Sequence, residues 1–487
     1  YSIGIIAQPN PDKPNDFTAL GKPRYAFLVT GGNIDSMVSN YTAAKKKRSD
    51  DAYSPGGKAG KRPDRAVTAY SRAVKEQYAD SLVILGGLEA SLRRFAHYDY
   101  WSDSVRPSVL AESDADVLVY GMGEHAIREL AGLCRQGYDP QQLWNIRGIC
   151  FFSNSLPSGR YREVASFEKV KLDKLAYAKA SGIQLEEQDA VRGERIIQKH
   201  DGRYLIQNAP QPPLSREELD EIAALPYMRR AHPFYEKQGG VPAIQEVEFS
   251  IIHNRGCFGS CNFCSIAFHQ GRYVTSRSEE SILKEAKILT ELPGFKGYIH
   301  DVGGPTANFR NPSCEKQETK GTCKNRKCLA PTPCGNLKVS HEEYLSILRK
   351  LRQLDGVKKV FIRSGIRFDY LMLDKDECFF EELVAHHISG QLKVAPEHSS
   401  STVLQTMGKP PVSVFLRFKE KFEKLSAKYK KEQYLVPYLM SSHPGCDLSS
   451  AVGLSLFLKR EGIRPEQVQD FYPTPATPST TMFYTGL

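Results

Sequence analysis

From about residue 247 onward, short β-rich runs alternate with runs of helical spacing, and this alternation limits the fold more than any other feature. Parallel strands need crossover connections, usually helices, so repeated strand–helix units favour a parallel sheet. Six units in series predict a partial barrel over 246–475, with a capping box at Ser340 and Glu343. The loops after its strands should carry the chemistry. Those loops contain RGCFGSCNFC, GGPTAN, RSGIR, APEHS and SSHPGC.

The first 150 residues show the same alternation and predict a doubly wound α/β domain with a parallel sheet over 1–150. Residues 151–245 predict a connector, in which Asp201-Gly202 is the two-residue turn of a hairpin. A helix of this connector opens with a second capping box, formed by Ser215 and Glu218. The strands predicted in the first domain are YSIGIIA, RYAFLVT, DSLVILGG and ADVLVYG.

The composition is that of a soluble globular protein, with 40% apolar and 25% charged residues in a chain of 487. No apolar run approaches the roughly 18 residues of a membrane helix, so we expect a cytoplasmic protein without a membrane partner. The net charge of +10 leaves nucleic-acid binding open but favours a mildly basic enzyme. The chain does not begin with Met, so we expect an upstream piece.

Most of the cysteines fall in two clusters, which favours metal binding over a disulfide framework. Cys257, Cys261 and Cys264 have the spacing C-x3-C-x2-C. Three thiolates on one loop can hold three irons of a cubane cluster and leave the fourth iron open. A structural zinc site would need a further ligand, which His253 or His269 could supply.

The three-cysteine loop follows the first predicted barrel strand, and this arrangement resembles the radical S-adenosylmethionine (SAM) superfamily. The likeness extends along nearly the whole chain to the YgiQ-type radical SAM family, which has an N-terminal domain, a barrel and a C-terminal extension. Residues 476–487 are then expected to begin that extension. The segments that carry the resemblance are GIIAQP, PGGKAGKRPDRA, GGLEASLRRFAHYDYW, RGCFGSCNFCSIAFHQGR, HDVGGPTANF, LKVAPEHSS and YLMSSHPGC.

The resemblance implies a cobalamin-binding-like doubly wound domain followed by a radical SAM partial (β/α)6 TIM barrel. It also implies a 4Fe–4S cluster on Cys257, Cys261 and Cys264, which splits SAM into methionine and a hydrogen-abstracting 5′-deoxyadenosyl radical. A reducing partner such as flavodoxin or ferredoxin is implied as well. The D-x-H-x-x-G motif that supplies a lower ligand to cobalamin is not found in the chain, which disfavours bound cobalamin, and because some cobalamin enzymes lack this motif the alternative stays open.

The same resemblance implies roles for residues on the barrel loops. Backbone contacts with SAM are expected from Phe263, Gly303, Gly304, Pro305 and Thr306. Candidates for the carboxylate and ribose of SAM, with ordinary polar packing as the alternative, are Arg363, Ser364 and Glu397. Catalytic candidates are Asp301, Glu397 and His398, of which Asp301 and His398 would face the substrate. Arg272 and Arg277 are either SAM contacts or surface charges.

A four-cysteine segment, residues 314–334, follows the second barrel strand, and its cysteines are Cys314, Cys323, Cys328 and Cys334. Their spacing lacks the paired C-x2-C knuckles of most zinc sites, so we favour a second 4Fe–4S cluster over zinc and over unligated or disulfide-paired thiols. Such a cluster could accept the electron left on a substrate radical. Basic residues that would offset its negative charge are Lys316, Lys320, Lys324, Arg326 and Lys327.

Three functions remain open from the sequence. The favoured one is oxidation of a small molecule, such as desaturation or dehydrogenation of an amino acid. The second is RNA or protein modification of the methylthiotransferase kind, and the third is a non-catalytic Fe–S protein. Methylthiotransferases carry their auxiliary cluster on an N-terminal domain and usually have an RNA-binding tail, and neither feature is evident in this sequence.

Overall fold

The computed structural model describes residues 1–465 and 468–487. A seven-stranded sheet organises the N-terminal part, in the order β1-β2-β5-β6-β9-β8-β7. β3 and β4 form a separate hairpin. The strands are β1 (Phe27–Thr30), β2 (Val83–Gly86), β3 (His97–Asp99), β4 (Ser104–Arg106), β5 (Val117–Val119), β6 (Ile149–Ser153), β7 (Tyr161–Val164), β8 (Arg195–His200) and β9 (Arg203–Gln207).

The prediction of a parallel sheet is correct for β1, β2 and β5 but wrong for the sheet as a whole, which is mixed. β6, β9 and β8 pair antiparallel beyond β5. The predicted hairpin β8–β9 forms, but it lies inside the sheet. The physical reason is that Ile196, Ile197, Leu205 and Ile206 are all fully buried, so apolar side chains cover both faces of the hairpin. The boundary at residue 150 stays a prediction, and this one sheet crosses it.

Helices pack on both faces of this sheet and bury two apolar clusters. Val67 and Val74 of α3 lie in one, and Leu130 and Leu133 of α6 in the other. The helices are α1 (Pro14–Thr18), α2 (Ser36–Asn40), α3 (Ala66–Gln77), α4 (Gly87–Leu92), α5 (Val109–Ser113), α6 (Glu124–Gly137), α7 (Phe167–Leu172), α8 (Lys174–Glu186) and α9 (Arg216–Ala223).

The predicted first strand, YSIGIIA, is wrong. Residues 1–7 form no strand, and Ile3 and Ile5 are mostly exposed because no neighbouring strand covers them.

The C-terminal part contains short pairs of parallel strands, which follow one another along the chain. β10 pairs with β14, β13 with β15, and β16 with β17, which pairs with β18. β13 and β14 follow each other in the same direction, with only His300 between them. The strands are β10 (Ser250–Ile252), β11 (Asn254–Arg255), β12 (Thr275–Ser276), β13 (Tyr298–Ile299), β14 (Asp301–Gly303), β15 (Lys359–Val360), β16 (Gln391–Glu397), β17 (Tyr434–Ser441) and β18 (Gln469–Asp470).

The helices between these strands bury one large apolar core, to which Phe415, Phe418 and Phe422 of α18 contribute. Within the described ranges, no helix combines the length and apolar character needed to cross a membrane. The helices are α10 (Ile244–Val247), α11 (Ile266–His269), α12 (Glu279–Glu291), α13 (Lys316–Lys320), α14 (Glu342–Arg352), α15 (Phe368–Leu371), α16 (Cys378–Glu382), α17 (Ser401–Met407), α18 (Val412–Lys428), α19 (Leu448–Arg460) and α20 (Pro478–Thr485).

The last helix, α20, packs against the N-terminal part. Tyr484 stacks on Tyr98 at 4.6 Å between ring centroids, and Thr481 lies 2.7 Å from the hydroxyl of Ser181. At the other end of α20, the Ser479 N–H donates to the carbonyl of Asn262 in the first cysteine cluster. Residues 478–485 therefore connect β3 and α8 of the N-terminal part with the cysteine loop.

Candidate active site

The first cysteine loop, residues 257–264, follows β11 and is held by backbone hydrogen bonds. The Cys257 N–H donates to the Gly271 carbonyl at 3.1 Å, and the Cys264 N–H donates to the Cys261 carbonyl at 3.2 Å. Asn262 ties the loop to the end of α17, because its backbone and side-chain amides donate to two carbonyls there, at 2.8 and 2.7 Å. The loop thus presents three thiols from a turn fixed on both sides.

Positive charges surround Cys261. Arg367 donates to its Sγ at 3.1 Å and also binds the carboxylate of Asp369 at 2.6 and 3.0 Å. Burial raises the pKa of Cys261, but Arg367 and Lys409 outweigh it and lower the pKa below that of a free thiol. The Cys261 thiolate is therefore the form that these cations stabilise.

Cys264 has the opposite tendency. Burial raises the pKa of its thiol to about 12, and the neighbouring Cys261 and Cys257 add to the rise. Three adjacent thiols cannot all ionise without a cation between them, and bound metal ions provide that charge. The loop therefore fits a metal centre with thiolate ligands.

Among the residues that the structure describes, no group of three His, Cys, Asp or Glu side chains is arranged to hold a single metal ion. A cubane takes each cysteine on a separate iron, so its ligands need not converge on one point. His253, one of the two possible zinc ligands, already contacts the Ala307 carbonyl at 2.8 Å and Arg310 at 3.2 Å. His253 is therefore held by other contacts and is not placed as a fourth ligand of this loop.

The glycine segment, residues 303–306, lies beside the first cysteine loop. The Thr306 hydroxyl is 3.4 Å from the Cys257 thiol, and the Asn254 side chain donates to the Thr306 carbonyl at 3.0 Å. A Cβ on Gly304 would overlap the side-chain oxygen of Asn254, so only glycine fits. The structure thus brings the predicted segment Gly303, Gly304, Pro305 and Thr306 next to the cysteines, and its contact with SAM stays a prediction.

Asp301 joins the ends of two neighbouring strands. Its Oδ1 accepts from the backbone N–H groups of Arg363 and Ser364, at 2.7 and 3.2 Å. Burial raises the pKa of Asp301, although these donors oppose the rise. Ser364 also lies against Gly303, whereas the exposed Arg363 side chain is 3.7 Å from Glu246. Asp301 and Ser364 therefore lie at the glycine segment, and their roles stay predictions.

Glu397 belongs to the charged surroundings of the cysteine loop. It is buried at the end of β16 with φ 68°, and its Oε1 is 3.7 Å from the amine of Lys409. Burial raises the pKa of this carboxyl, while Lys409 and Arg367 oppose the rise. Since Lys409 and Arg367 also act on Cys261, Glu397 is coupled electrostatically to the candidate metal centre.

His398 is buried beside a cysteine outside the two clusters. The Ser400 N–H donates to its Nδ1 at 2.9 Å, and its Nε2 is 3.6 Å from the thiol of Cys446. Burial lowers the pKa of His398, so it is neutral at pH 7. These contacts satisfy both ring nitrogens, and the predicted contact of His398 with substrate stays a prediction.

The two predicted arginines differ in their surroundings. Arg272 donates to the carbonyls of Cys323 and Arg326, at 2.9 and 3.1 Å, and so contacts the four-cysteine segment. Arg277 is buried and forms an ion pair with Glu285 and hydrogen bonds with Ser281. The contacts of Arg277 favour a structural role over a SAM contact.

The four-cysteine segment packs against both the first cysteine loop and the N-terminal part. Its four cysteines are free thiols. The Cys328 thiol donates to the Ser313 hydroxyl at 3.2 Å, and burial raises the pKa of Cys328. Asp189, which follows α8, accepts from the Thr322 hydroxyl at 2.7 Å. The segment is therefore an ordered part of the site.

Several residues of the site were missed from the sequence, and Lys327 is the clearest case. Its amine donates to the Ser260 carbonyl at 2.6 Å and to the side chain of Asn262. Burial lowers the pKa of Lys327 to about 8. The sequence suggested Lys327 as a counter-charge for a second cluster, but the amine lies in the first loop. The other missed residues are Asn262, Arg367, Asp369 and Lys409.

A cavity of about 900 Å³ lies between the two cysteine regions and the N-terminal part. Its walls include Cys261, Cys264, Cys323, Arg272 and Lys327. The site therefore has a partly open cavity next to thiols of both regions.

Comparison with known proteins identifies the family. The family described as Radical SAM N-terminal matches residues 1–250. A UPF0313 protein of Clostridium botulinum (strain ATCC 19397 / Type A) is 59% identical over 488 residues, covering 100% of this chain and 76% of that protein. A UPF0313 protein of Clostridium perfringens (strain ATCC 13124) is 55% identical over 490 residues, covering 100% of this chain and 74% of that protein.

Two solved structures of the radical SAM methyltransferase TsrM from Kitasatospora setae share the fold at 14% identity. One, with tryptophan substrate and aza-SAM bound, has a TM-score of 0.51 and covers 96% of this chain and 66% of that chain. The other, with cobalamin and a [4Fe-4S] cluster bound, has a TM-score of 0.50, and the match covers 96% of this chain and 65% of that chain. From these matches and the motifs around its cysteines, the chain belongs to the UPF0313 (YgiQ-type) family of radical SAM proteins.

Proposed function

We propose that the protein is a radical SAM oxidoreductase that removes two electrons and two hydrogens from a small molecule, as in desaturation or dehydrogenation of an amino acid. The observation that carries this proposal is the packing of a second set of four thiols against the first cysteine loop, through Arg272 and Lys327. Family membership supports the radical SAM part of the proposal, and this packing supports the oxidation.

The residues of the first loop and its neighbours would bind and orient the cofactors. Cys257, Cys261 and Cys264 hold the 4Fe–4S cluster in this proposal, and residues 303–306 meet SAM. When bound and reduced, this pair of cofactors supplies a 5′-deoxyadenosyl radical that takes a hydrogen atom from a substrate carbon. Arg367 holds Cys261 by a hydrogen bond, and the cavity beside the loop offers the substrate space next to the thiols.

Removal of a hydrogen atom accounts for half of an oxidation, because one electron and one proton must still leave the substrate. We propose that the thiols of the four-cysteine segment hold a second 4Fe–4S cluster, which accepts one electron when bound. The spacing of these cysteines lacks the paired C-x2-C knuckles of most zinc sites, and this favours a cluster over zinc. A small one-electron donor such as flavodoxin or ferredoxin would reduce the first cluster.

The proposed architecture is a mixed-sheet N-terminal domain followed by a partial (β/α)6 barrel built from the parallel-paired strands β10 and β13 to β18. We propose no cobalamin. Glu89, at the carboxyl end of β2, already accepts from the N–H groups of Ser36 and Val67, at 2.9 and 3.0 Å. The Arg93–Asp35 ion pair beside it is also buried. Side chains therefore fill the carboxyl end of β2, one of the strand ends at which such sheets bind cofactors.

Iron counting tests the assignment of the two clusters. The protein would be reconstituted anaerobically, as wild type and with Cys257, Cys261 and Cys264 all changed to Ala, and iron and sulfide quantified. We expect about four irons to remain in the triple variant, the content of one cubane. No iron, or zinc in its place, would contradict the second cluster.

Product analysis tests the reaction itself. Reduced protein with SAM would be incubated with pooled amino acids and small metabolites, and the products compared by mass spectrometry with those of the triple variant. We expect a product that has lost two hydrogens, in wild type alone. A methylated or methylthiolated product would contradict the oxidation.

A further inference from the structure

Lys327 lies in the four-cysteine segment, but its side chain contacts the first cysteine loop. It is the neighbour of Cys328 in the chain, yet its amine binds the Ser260 carbonyl and the Asn262 side chain. Ser260 and Asn262 flank Cys261, so the amine reaches the turn that sets the position of this thiol. Ser260 has φ 51°, a left-handed conformation that needs support from its surroundings.

The end of α17 leaves room for the amine. Gly408 ends this helix with φ 70°, and a Cβ at this position would overlap the Lys327 amine. The same helix end accepts both amide donors of Asn262, at the carbonyls of Thr406 and Met407. Lys327, Asn262 and the end of α17 therefore form one connected hydrogen-bonded unit behind the first cysteine loop.

A second cation makes the opposite connection. Arg272, which follows the first loop in the chain, donates to the carbonyls of Cys323 and Arg326 in the four-cysteine segment. Each cysteine region thus contributes one cationic side chain that donates hydrogen bonds to backbone carbonyls of the other region. The position of the first loop is consequently coupled to the fold of the four-cysteine segment by two charge-assisted hydrogen-bonded links.

We infer that Lys327 is a positioning residue for the 4Fe–4S cluster of the first cysteine loop. Through Lys327, SAM binding then depends on the fold of the four-cysteine segment. The inference rests on the proposed function, because it assumes a cluster on Cys257, Cys261 and Cys264. Lys327 holds the turn around Cys261, and its positive charge offsets part of the negative charge of the thiolates.

The test compares Lys327→Met with Lys320→Met in reconstituted full-length protein. Lys320 is an exposed lysine of the same segment, so its change removes an equal charge. SAM affinity would be measured by the change that SAM produces in the EPR spectrum of the reduced protein. We expect Lys327→Met to keep its iron but to bind SAM about tenfold more weakly, the effect of one charge-assisted hydrogen bond.

Two further variants separate positioning from a general loss of folding. Lys327→Arg keeps the charge and donors and should recover part of the affinity. Gly408→Ala displaces the amine without changing it and should weaken SAM binding, whereas Gly462→Ala has a similar φ and no neighbour within 4 Å and should not. If Lys327→Met fails to fold, this glycine pair decides the question.

A double variant tests the link to the segment. Cys314→Ser in the four-cysteine segment should weaken SAM binding in the wild type and add little in Lys327→Met, because both changes break the same connection. Normal SAM affinity and a normal EPR spectrum in Lys327→Met would overturn the inference and leave the proposed function standing. A wild type without iron on Cys257, Cys261 and Cys264 would overturn the proposed function itself.

Discussion

Arg367 connects the thiol of the half-buried Cys261 to the carboxylate of Asp369, and Arg367 and Asp369 are themselves buried. A positive charge next to a cluster ligand stabilises the reduced cluster, because reduction adds negative charge. Asp369 offsets part of this effect and holds the guanidinium in place. The pair is therefore placed to adjust the reduction potential of the cluster proposed on this loop.

Arg367→Met should lower the midpoint potential of the cluster by about 60 mV, since the loss of about 1.4 kcal/mol corresponds to this shift for one electron. Asp369→Asn should shift the potential the other way. The measurement is a redox titration followed by EPR. An unchanged potential in Arg367→Met would mean that the hydrogen bond to Cys261 has no influence on the cluster.

Gly304→Ala should destabilise the protein by about 1–3 kcal/mol, the usual range for an extra group forced into a packed site. The added methyl group would displace Asn254, which supports the Thr306 and Phe309 carbonyls. Urea denaturation gives the free energy of unfolding. Gly86→Ala, at the end of β2 with open space around it, is the control and should change little; equal losses in both would contradict the steric argument.

At the scale of single residues, the sequence predicts the three thiols and the glycine segment as parts of one site, because their spacing lies within short loops. The structure brings both together. Arg367, Lys409 and Lys327 were missed as contacts of the first loop, since each comes from a distant part of the chain. A buried cation has no sequence signature of its own, and its partner depends on tertiary packing.

Among the secondary structure elements, the two predicted capping boxes had different outcomes. Ser215 and Glu218 form the box at the start of α9, as predicted. At α14 the prediction is wrong, because the N-cap is His341 and the Glu343 side chain pairs with Arg310. At α14, the ion pair of Glu343 with Arg310, which lies outside this helix, thus takes the place of the predicted capping box.

Because only Ser215 forms a capping box, Ser→Ala substitutions at Ser215 and Ser340 should lower the free energy of unfolding by different amounts. Ser215→Ala should lower the free energy of unfolding by about 1 kcal/mol, the typical loss of an N-cap. Ser340→Ala should cost clearly less, because its hydroxyl contributes only a 3.3 Å contact with the Glu342 N–H. Urea midpoints compare the two variants, and equal losses would contradict the assignment of the caps.

The elements of the N-terminal part were mostly predicted, but their arrangement was not. The runs of β1, β2 and β5 and the turn at Asp201-Gly202 were found correctly. Apolar runs buried on both faces indicate a central strand without revealing its neighbours or their direction. For this reason the sequence placed β8 and β9 in a connector, whereas they extend the sheet.

For the whole molecule, buried neutral histidines make stability depend on pH. Burial lowers the pKa of each of these side chains well below that of a free histidine. Because the unfolded chain takes up protons near pH 6.5 and the folded one does not, stability falls as the pH falls below 6.5. The pKa is lowered to about 3 for His97 and His253, and to about 4 for His200, His269 and His387.

His387→Asn should reduce this pH dependence. Its Nδ1 contacts the Val360 carbonyl at 2.8 Å, and an Asn amide can replace that donor without titrating. Between pH 6.5 and about 4 the variant should lose up to about 1.4 kcal/mol less stability per pH unit than the wild type. Urea midpoints at pH 7 and pH 5 measure this, with the exposed His386→Asn as control; equal slopes for wild type and His387→Asn would contradict it.

The function proposed for the whole molecule requires one activity, reductive cleavage of SAM at the first cysteine loop. The most direct measurement is the amount of 5′-deoxyadenosine formed by the anaerobically reconstituted protein after reduction with dithionite. We expect the wild type to form 5′-deoxyadenosine and methionine in equal amounts and Cys261→Ala to form neither. A wild-type protein that carries its cluster and binds SAM but forms no 5′-deoxyadenosine would contradict the account.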